Sequence, residues 1–141
     1  MDNFLGEFQQ VMDVKNRIFI PAKFRETFYN GLYVTRHVDG CLAIYSEEGW
    51  RAYTDRLNSL PASSSTRIKR FIYATALDAK PDSQGRIVLT QALREHAGLT
   101  KDIYIVGVGD HVEIWDSERY ERDMAQITPE SVFEDMMKLG C

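Results

Sequence analysis

Two pairs of oppositely charged side chains, each pair four residues apart, carry the chemistry that stands out in this sequence. Asp13 precedes Arg17 in the segment Asp-Val-Lys-Asn-Arg, and Asp82 precedes Arg86 in Asp-Ser-Gln-Gly-Arg. An aspartate can accept hydrogen bonds from backbone N–H groups that follow it and so form a tight turn. A guanidinium can bind phosphate or the edge of guanine. One such pair alone would indicate a structural turn, whereas its recurrence favours an arginine that the turn orients toward a ligand.

The residue before each arginine supports the same turn. It is Asn16 in the first pair and Gly85 in the second, and both residue types tolerate the left-handed backbone conformation that tight turns often require. The sequence therefore predicts that the two arginines project from turns shaped by four residues: Asp13, Asp82, Asn16 and Gly85.

Other residues with catalytic or metal-binding chemistry are sparse. His37, His96 and His111 show no i, i+4 spacing and no cysteine cluster beside them, so no metal site is predicted. Cys41 and Cys141 are too few for a disulfide framework. Cys41 could act as a nucleophile with His37, but no surrounding motif supports that pair, and we predict that Cys41 packs in the interior. Without a phosphate-binding glycine loop or a catalytic triad, the sequence predicts neither an enzyme nor a cofactor.

The charged pairs head two copies of a longer repeat. Each copy continues through an apolar strand to an Arg-Glu dipeptide, which begins at Arg25 or Arg94, and then to a hairpin whose turn contains Gly40 or Gly109. The offset between matching residues stays between 69 and 71 positions, as small loop insertions would produce. The sequence therefore predicts a tandem duplication.

The hydrophobic pattern predicts the same order of elements in each copy, namely a strand, a short helix, a hairpin and a helix. In the first copy these are expected at 16–20, 21–29, 32–38 with 41–45, and 46–59. In the second they are expected at 86–89, 90–98, 103–107 with 111–115, and from 117 onward. A linker-like stretch at 60–66 leads into a helix expected at 66–77, and a last helix is expected at 128–140.

Composition limits the organisation and the location. A chain of 141 residues, 44% of them hydrophobic, can bury one ordinary core, whereas two separate domains of half that size would each be marginal. No apolar run is long enough to span a bilayer and no signal peptide is evident, so a cytoplasmic protein is expected. The net charge of −4 argues against indiscriminate nucleic-acid binding. Residues 13–36 nevertheless carry five basic and two acidic side chains and could meet phosphates.

These residues together resemble the MraZ family, bacterial transcriptional regulators associated with the division and cell-wall gene cluster. The resemblance covers nearly the whole chain and rests on both D-x-x-x-R elements and on four further segments. These begin at Ile20 (Ile-Pro-Ala-Lys-Phe-Arg), Asp39 (Asp-Gly-Cys-Leu-Ala-Ile-Tyr), Ala92 (Ala-Leu-Arg-Glu-His-Ala-Gly-Leu) and Val106 (Val-Gly-Val-Gly-Asp, followed by Glu-Ile-Trp). The first turn departs from the family pattern in having Asn16 instead of the usual glycine. Thr90-Gln91 stands where the family often has proline and a small residue.

The resemblance implies an α+β fold, a β-rich double AbrB-like unit in which hairpins are swapped between two tandem repeats, with short helices beside it. The expected organisation is a first repeat at 1–60, a linker and connecting helix at 61–80, and a second repeat with C-terminal helices at 81–141, the two repeats forming one compact unit. The implied partners are double-stranded promoter DNA with short repeats and further copies of the chain in a ring. The implied location is cytoplasmic and nucleoid-associated. The expected DNA-binding residues are Arg17, Arg86, Lys15 and Arg25.

Two alternatives remain open at this point. An AbrB-like or MazE-like antitoxin would bind a partner protein, although such antitoxins usually carry one unit and an unstructured acidic tail. The aromatic residues at equivalent positions of the two copies could stack on single-stranded nucleic acid. Because they stand where a strand passes into a helix, we predict core packing for them instead: Tyr45, Trp50, Trp115 and Tyr120.

Overall fold

The computed structural model describes residues 2–141. Eight strands span Glu7–Val11 (β1), Arg17–Phe19 (β2), Leu32–Arg36 (β3), Leu42–Tyr45 (β4), Leu77–Ala79 (β5), Arg86–Val88 (β6), Asp102–Gly107 (β7) and Val112–Asp116 (β8). Five α-helices span Glu47–Asn58 (α1), Ala62–Tyr73 (α2), Gln91–Ala97 (α3), Ser117–Ala125 (α4) and Pro129–Leu139 (α5). A 3-10 turn covers Ala22–Phe24.

The two halves of the chain exchange strands. Six strands form one antiparallel sheet in the order β1-β7-β8-β4-β3-β5, and the remaining two, β2 and β6, form a separate antiparallel ribbon. The first strand of each half pairs with the hairpin of the other half, since β1 lies beside β7 and β5 lies beside β3. The two hairpins meet at the centre, where β4 pairs with β8. The chain is thus an α+β protein with two repeats, as expected, and the elements exchanged between the repeats are the single strands β1 and β5.

The ribbon joins the turns of both halves. Ile18 lies opposite Ile87, and each strand then continues past the turn of the other half. The N–H of Ile20 donates to the carbonyl oxygen of Gly85 at 2.7 Å, and the N–H of Leu89 donates to that of Asn16 at 3.0 Å. The residues with left-handed backbone in the two turns therefore accept hydrogen bonds from opposite repeats, which fixes the two turns relative to each other.

One hydrophobic cluster lies between the ribbon and the sheet. The inward side chains of the ribbon, Ile18, Ile20, Ile87 and Leu89, are almost fully buried there together with the apolar residues of the sheet. Phe28 is also fully buried and stacks on the ring of Phe4 at 5.1 Å. Burial of this apolar surface is the main force that stabilises the fold and holds the ribbon in place.

Three of the four aromatic residues are buried as predicted, and the fourth, Trp50, is partly exposed. Tyr45, Trp115 and Tyr120 are each less than 10% exposed. Trp50 stacks on Tyr33 with ring centroids 5.0 Å apart, and Trp115 lies 5.7 Å from Tyr120. These rings fill space between the sheet and the helices that follow β4 and β8.

Several helices begin and end where the sequence predicts. The side chains of Ser46, Thr90, Asp116 and Thr128 each accept a hydrogen bond from a backbone N–H in the first turn of α1, α3, α4 and α5 respectively. Gly98 and Gly140 end α3 and α5 in the left-handed conformation. Side-chain caps and C-terminal glycines are strong local signals, because they satisfy backbone groups that the helix itself leaves free.

The helix expected at 21–29 is wrong, since only Ala22–Phe24 is helical and the following residues form turns. Its start at Pro21 has no side-chain cap, unlike the start of α3 at Thr90. The helix expected at 66–77 begins earlier, at Ala62, and ends at Tyr73, and the residues after it form the unexpected strand β5. Strand β1 was also not predicted. Among residues 2–141, no helix is both long and apolar enough to cross a membrane.

Candidate nucleic-acid interface

Each charged pair closes a turn of the same geometry. In the first turn, Asp13 Oδ1 accepts hydrogen bonds from the backbone N–H groups of Lys15 and Arg17, both at 2.9 Å. Asp13 Oδ2 accepts a third from Arg17 Nε at 2.6 Å. Asn16 has a φ of 61° and is the only non-glycine residue with positive φ in the described chain. One carboxylate thus holds both the backbone of the turn and the arginine side chain.

The second turn repeats this arrangement atom for atom. Asp82 Oδ1 accepts from the backbone N–H groups of Gln84 and Arg86, both at 2.9 Å, and Asp82 Oδ2 accepts from Arg86 Nε, also at 2.9 Å. Gly85 occupies the position of Asn16 with a φ of 79°. The four residues predicted to shape the turns therefore have a common geometry in the structure.

The hydrogen bonds change the electrostatics of the aspartates. The backbone N–H of Arg17 holds the pKa of Asp13 below its ordinary value, and the guanidinium of the same residue adds to this effect. The pKa of Asp82 is lowered in the same way, first by the backbone N–H of Arg86. Both carboxylates are therefore charged at neutral pH and form ion pairs with the arginines.

The outer face of the ribbon carries both arginines. Strand pairing places Arg17 opposite Val88 and Arg86 opposite Phe19, on the side away from the buried Ile18. Phe19 and Val88 are 42% and 55% exposed. Across such a diagonal, Cα atoms are roughly 7–8 Å apart. The outer face of the ribbon therefore carries both arginines together with two exposed apolar side chains.

The arginines keep part of their hydrogen-bonding capacity. Each uses Nε on its own aspartate, and within residues 2–141 their Nη groups make no further hydrogen bond. The side chains of Arg17 and Arg86 are 28% and 20% exposed. Each guanidinium is thus held at one edge while its other edge remains available to a ligand.

Two other predicted contact residues lie near the turns. Lys15 is exposed within the first turn. Arg25 is also exposed, and its Nε donates to the carbonyl oxygen of Ile20 at 3.0 Å. Together with Lys80, which the sequence analysis did not single out, Arg25 lines a groove beside Asp82 and Ser83 of the second turn. Lys80 directly precedes the segment Pro81-Asp82, and this position beside the motif is the signal that could have identified it.

Other basic and nucleophilic candidates have different roles. Arg36 lies on β3, and its Nε donates to the carbonyl oxygen of Phe71 near the end of α2 at 2.9 Å. It therefore binds a helix end and does not extend the basic surface of the turns. Burial raises the pKa of the fully buried Cys41 thiol well above its usual range, so this thiol stays protonated and does not form a nucleophilic pair with His37.

Two histidines that are distant in sequence meet in the structure. His37 and His111 lie beside Glu113 at the ends of the two central hairpins, with one possible ligand atom of each residue within 4.8 Å of the others. The sequence did not reveal this cluster, because His37 is more than seventy positions from His111 and Glu113. No residue of the two D-x-x-x-R turns belongs to it.

Known proteins resemble the chain along almost all of its length. One family model, described as "MraZ protein, putative antitoxin-like", matches residues 3–71 and again 72–138. Proteins named "Transcriptional regulator MraZ" from Acetivibrio thermocellus and Clostridium beijerinckii are 41% and 39% identical over 141 and 140 residues, each covering 97% of this chain and 99% of the relative. The protein of that name from Lachnoclostridium phytofermentans is 43% identical over 119 residues, 84% of each chain. These matches confirm the resemblance found in the motifs, and the chain belongs to the MraZ family.

Proposed function

We propose that the chain is a sequence-specific DNA-binding transcriptional regulator that reads promoter DNA with the outer face of the β2–β6 ribbon. The observation that carries the proposal is the pair of arginines, Arg17 and Arg86, each held by its own aspartate on one exposed face. The name shared by the relatives supports regulation of transcription. It also favours a regulator over an enzyme.

The shape of the ribbon suits duplex DNA. The major groove of B-DNA is about 12 Å wide and admits a two-stranded β-ribbon. The outer face of β2 and β6 presents only Arg17, Phe19, Arg86 and Val88, since the alternate residues are buried against the sheet. A two-stranded ribbon can therefore enter the groove with this face, and both of its arginines, directed toward the bases.

The arginine geometry suits base reading. A guanidinium with both Nη groups available can donate two hydrogen bonds to O6 and N7 of guanine, the commonest specific contact in protein–DNA complexes. Because Asp13 and Asp82 hold Nε, the side chains lose less conformational entropy on binding than free arginines would. The exposed side chains of Phe19 and Val88 could then contact the methyl group of thymine.

Basic residues beside the turns would contact phosphates. Lys15 in the first turn, and Arg25 with Lys80 beside the second, are exposed and near the ribbon. Contacts of this type position a protein on DNA without reading its sequence. Because Lys15 in the first turn corresponds to Gln84 in the second, the two turns of one chain would contact phosphates unequally.

Self-association would supply the affinity that one acidic chain lacks. With a net charge of −4 and two arginines, a single copy would bind weakly. A ring of copies would present many ribbons to a promoter with short repeats and raise the effective concentration of each. Helix α5 supports self-association, because it buries none of its residues and exposes Phe133 and Met137 by more than 60%. The promoter expected from the family resemblance is that of the division and cell-wall gene cluster.

The test is fluorescence anisotropy of the chain on its own upstream promoter and on a scrambled duplex, at two salt concentrations. We expect Arg17→Ala and Arg86→Ala each to weaken promoter binding at least about fivefold, since each bidentate base contact contributes roughly 1–3 kcal/mol. Arg51→Ala is the matched control, because Arg51 is an equally charged residue on α1, 71% exposed, outside the ribbon. Sedimentation must show the same assembly for all variants.

The antitoxin description of the family model supplies the competing function. An antitoxin acts through a partner protein and needs no preference for one promoter. If both arginine variants bound the promoter as tightly as wild type, the turns would be structural and the protein-partner function would become the better explanation.

A further inference from the structure

A second cluster of chemically competent side chains lies away from the ribbon, where the hairpins of the two repeats meet. His37 follows β3, His111 precedes β8, and Glu113 lies within β8, opposite Ala43 of the neighbouring strand. Glu113 Oε2 is 3.0 Å from His111 Nε2 and 3.9 Å from His37 Nε2. Two imidazole nitrogens therefore face the same carboxylate oxygen.

The cluster is sheltered but open to small solutes. The side chains of His111 and Glu113 are each 13% exposed, and that of His37 is 25% exposed. A transition-metal ion could therefore reach the donors from solvent and exchange most of its water for protein ligands. The neighbouring Tyr45 ring, 5.4 Å from the ring of His111, forms one wall.

The types of donor atom in the cluster indicate which metal ion it would bind. Two imidazoles and one carboxylate form a common ligand set for Zn²⁺, with a fourth position left for water. Hard ions such as Mg²⁺ and Ca²⁺ prefer oxygen ligands and fit this set poorly. In a tetrahedral zinc site with bonds of about 2.0–2.1 Å, ligand atoms are about 3.4 Å apart. The present separations, at most 4.8 Å, require a contraction that rotation of the side chains can provide.

Outer carboxylates and an indole orient the donors. His111 Nδ1 lies 2.6 Å from Asp110 Oδ1, the arrangement that directs the Nε2 lone pair of a histidine toward a metal. Trp115 Nε1 donates to Glu113 Oε1 at 2.9 Å and leaves Oε2 facing the histidines. Such partners fix the orientation of metal ligands and raise their basicity.

His37 requires one rearrangement. The backbone N–H of Asp39 donates to His37 Nδ1 at 3.1 Å, which places the proton of the neutral ring on Nε2. Binding through Nε2 requires the ring to release that proton to water and take one up from water at Nδ1, from which Nδ1–H can donate a hydrogen bond to the Asp39 carboxylate, now 3.7 Å away. A rotation of the ring would break the hydrogen bond from the Asp39 N–H and turn Nδ1 toward the Asp39 carboxylate.

We propose that His37, His111 and Glu113 form a Zn²⁺ site that joins the β3–β4 hairpin of the first repeat to the β7–β8 hairpin of the second. The ion would take Nε2 of both histidines and Oε2 of the glutamate. Since each hairpin contributes at least one ligand, binding would stabilise the union of the two repeats. The site is independent of the DNA contacts and stands whether or not the ribbon binds DNA.

The test is a titration of the untagged 141-residue chain with Zn²⁺ by calorimetry, and with Co²⁺ by visible absorption, in which four-coordinate sites give intense bands. We expect one ion per chain and a higher midpoint of thermal unfolding with Zn²⁺ than with a chelator. Glu113→Gln and His111→Asn should each weaken binding at least tenfold and abolish the rise in the midpoint. Circular dichroism with chelator present checks that both variants fold.

Two control variants distinguish the proposed site from other side chains that can bind Zn²⁺. His96→Gln removes the third histidine, which lies outside the donor set, while the glutamine amide can keep the hydrogen bond that His96 Nε2 makes to the carbonyl oxygen of His37 at 2.9 Å. Cys141→Ser removes an exposed thiol. Both should bind Zn²⁺ as wild type does. The proposal is overturned if wild type takes up no stoichiometric ion, if the folded Glu113→Gln and His111→Asn variants bind like wild type, or if Cys141→Ser alone removes binding.

Discussion

Replacing Gly85 by alanine should destabilise the chain by about 2 kcal/mol, through two separable effects. The φ of 79° at Gly85 is in the left-handed region, where a residue with a Cβ costs about 1 kcal/mol. That Cβ would also lie 2.6 Å from Arg25 Nε, which donates to the carbonyl oxygen of Ile20. Arg25 would have to move, and loss of this hydrogen bond adds about 1 kcal/mol.

The measurement is the free energy of unfolding from urea titration, together with the thermal midpoint at fixed protein concentration. For a chain of this size, a loss of about 2 kcal/mol corresponds to a fall of roughly 6 °C in the midpoint. Gly85→Asn separates the two effects, because asparagine tolerates the left-handed conformation but its Cβ still collides with Arg25. This variant should therefore lose only about 1 kcal/mol of unfolding free energy.

The matched control is the same position in the other repeat. Asn16 already adopts a φ of 61°, so Asn16→Gly should change the free energy of unfolding by no more than about 0.5 kcal/mol. The reasoning is refuted if Gly85→Ala is as stable as wild type. It is equally refuted if Asn16→Gly destabilises the chain as much as Gly85→Ala does.

Three further predictions concern the turns and the core. The folded-state pKa values of Asp13 and Asp82 are lowered, so the free energy of unfolding should fall as the pH drops below about 4. The double variant with asparagine at both positions should lose less free energy of unfolding over that pH range, as measured by urea titration. The buried Cys41 thiol, whose pKa is raised, should resist Ellman's reagent while exposed Cys141 reacts, giving one thiol per native chain and two in denaturant; two fast-reacting thiols in the native chain would contradict this. Phe28→Ala, at a fully buried site, should cost about 3–5 kcal/mol in urea unfolding, and a loss below 1 kcal/mol would contradict the packing.

The features that the sequence predicted are those with local signals. The helix starts at Ser46, Thr90 and Thr128 were predictable because each side-chain oxygen accepts a hydrogen bond from the backbone N–H three residues later. The two turns were predictable because Asp13 and Asp82 act on residues two to four positions away. The geometry of these turns follows from short-range hydrogen bonds, which a single sequence displays directly.

The features that were missed depend on contacts between the two repeats. Strand β1 has exposed residues on one side, and the residues of β7 that pair with it lie 91 to 99 positions away. The residues at 21–29 contain Phe24 and Phe28 at helical spacing, but aromatic residues have low helix propensity and Pro21 offers no cap. The cluster of His37 with Glu113 likewise arises only when β4 pairs with β8. Pairing across such distances leaves no short-range pattern in the sequence.

The measurement that tests the central claim most directly is promoter selectivity of the double variant Arg17→Lys with Arg86→Lys. Lysine keeps the positive charge but lacks the planar fork that donates two hydrogen bonds to guanine. We predict that the ratio of affinities for promoter and scrambled duplex falls at least tenfold. The number of ions released on binding, obtained from the salt dependence of the affinity, should differ from wild type by no more than about one. An unchanged ratio, with assembly intact, would contradict base reading by the ribbon arginines.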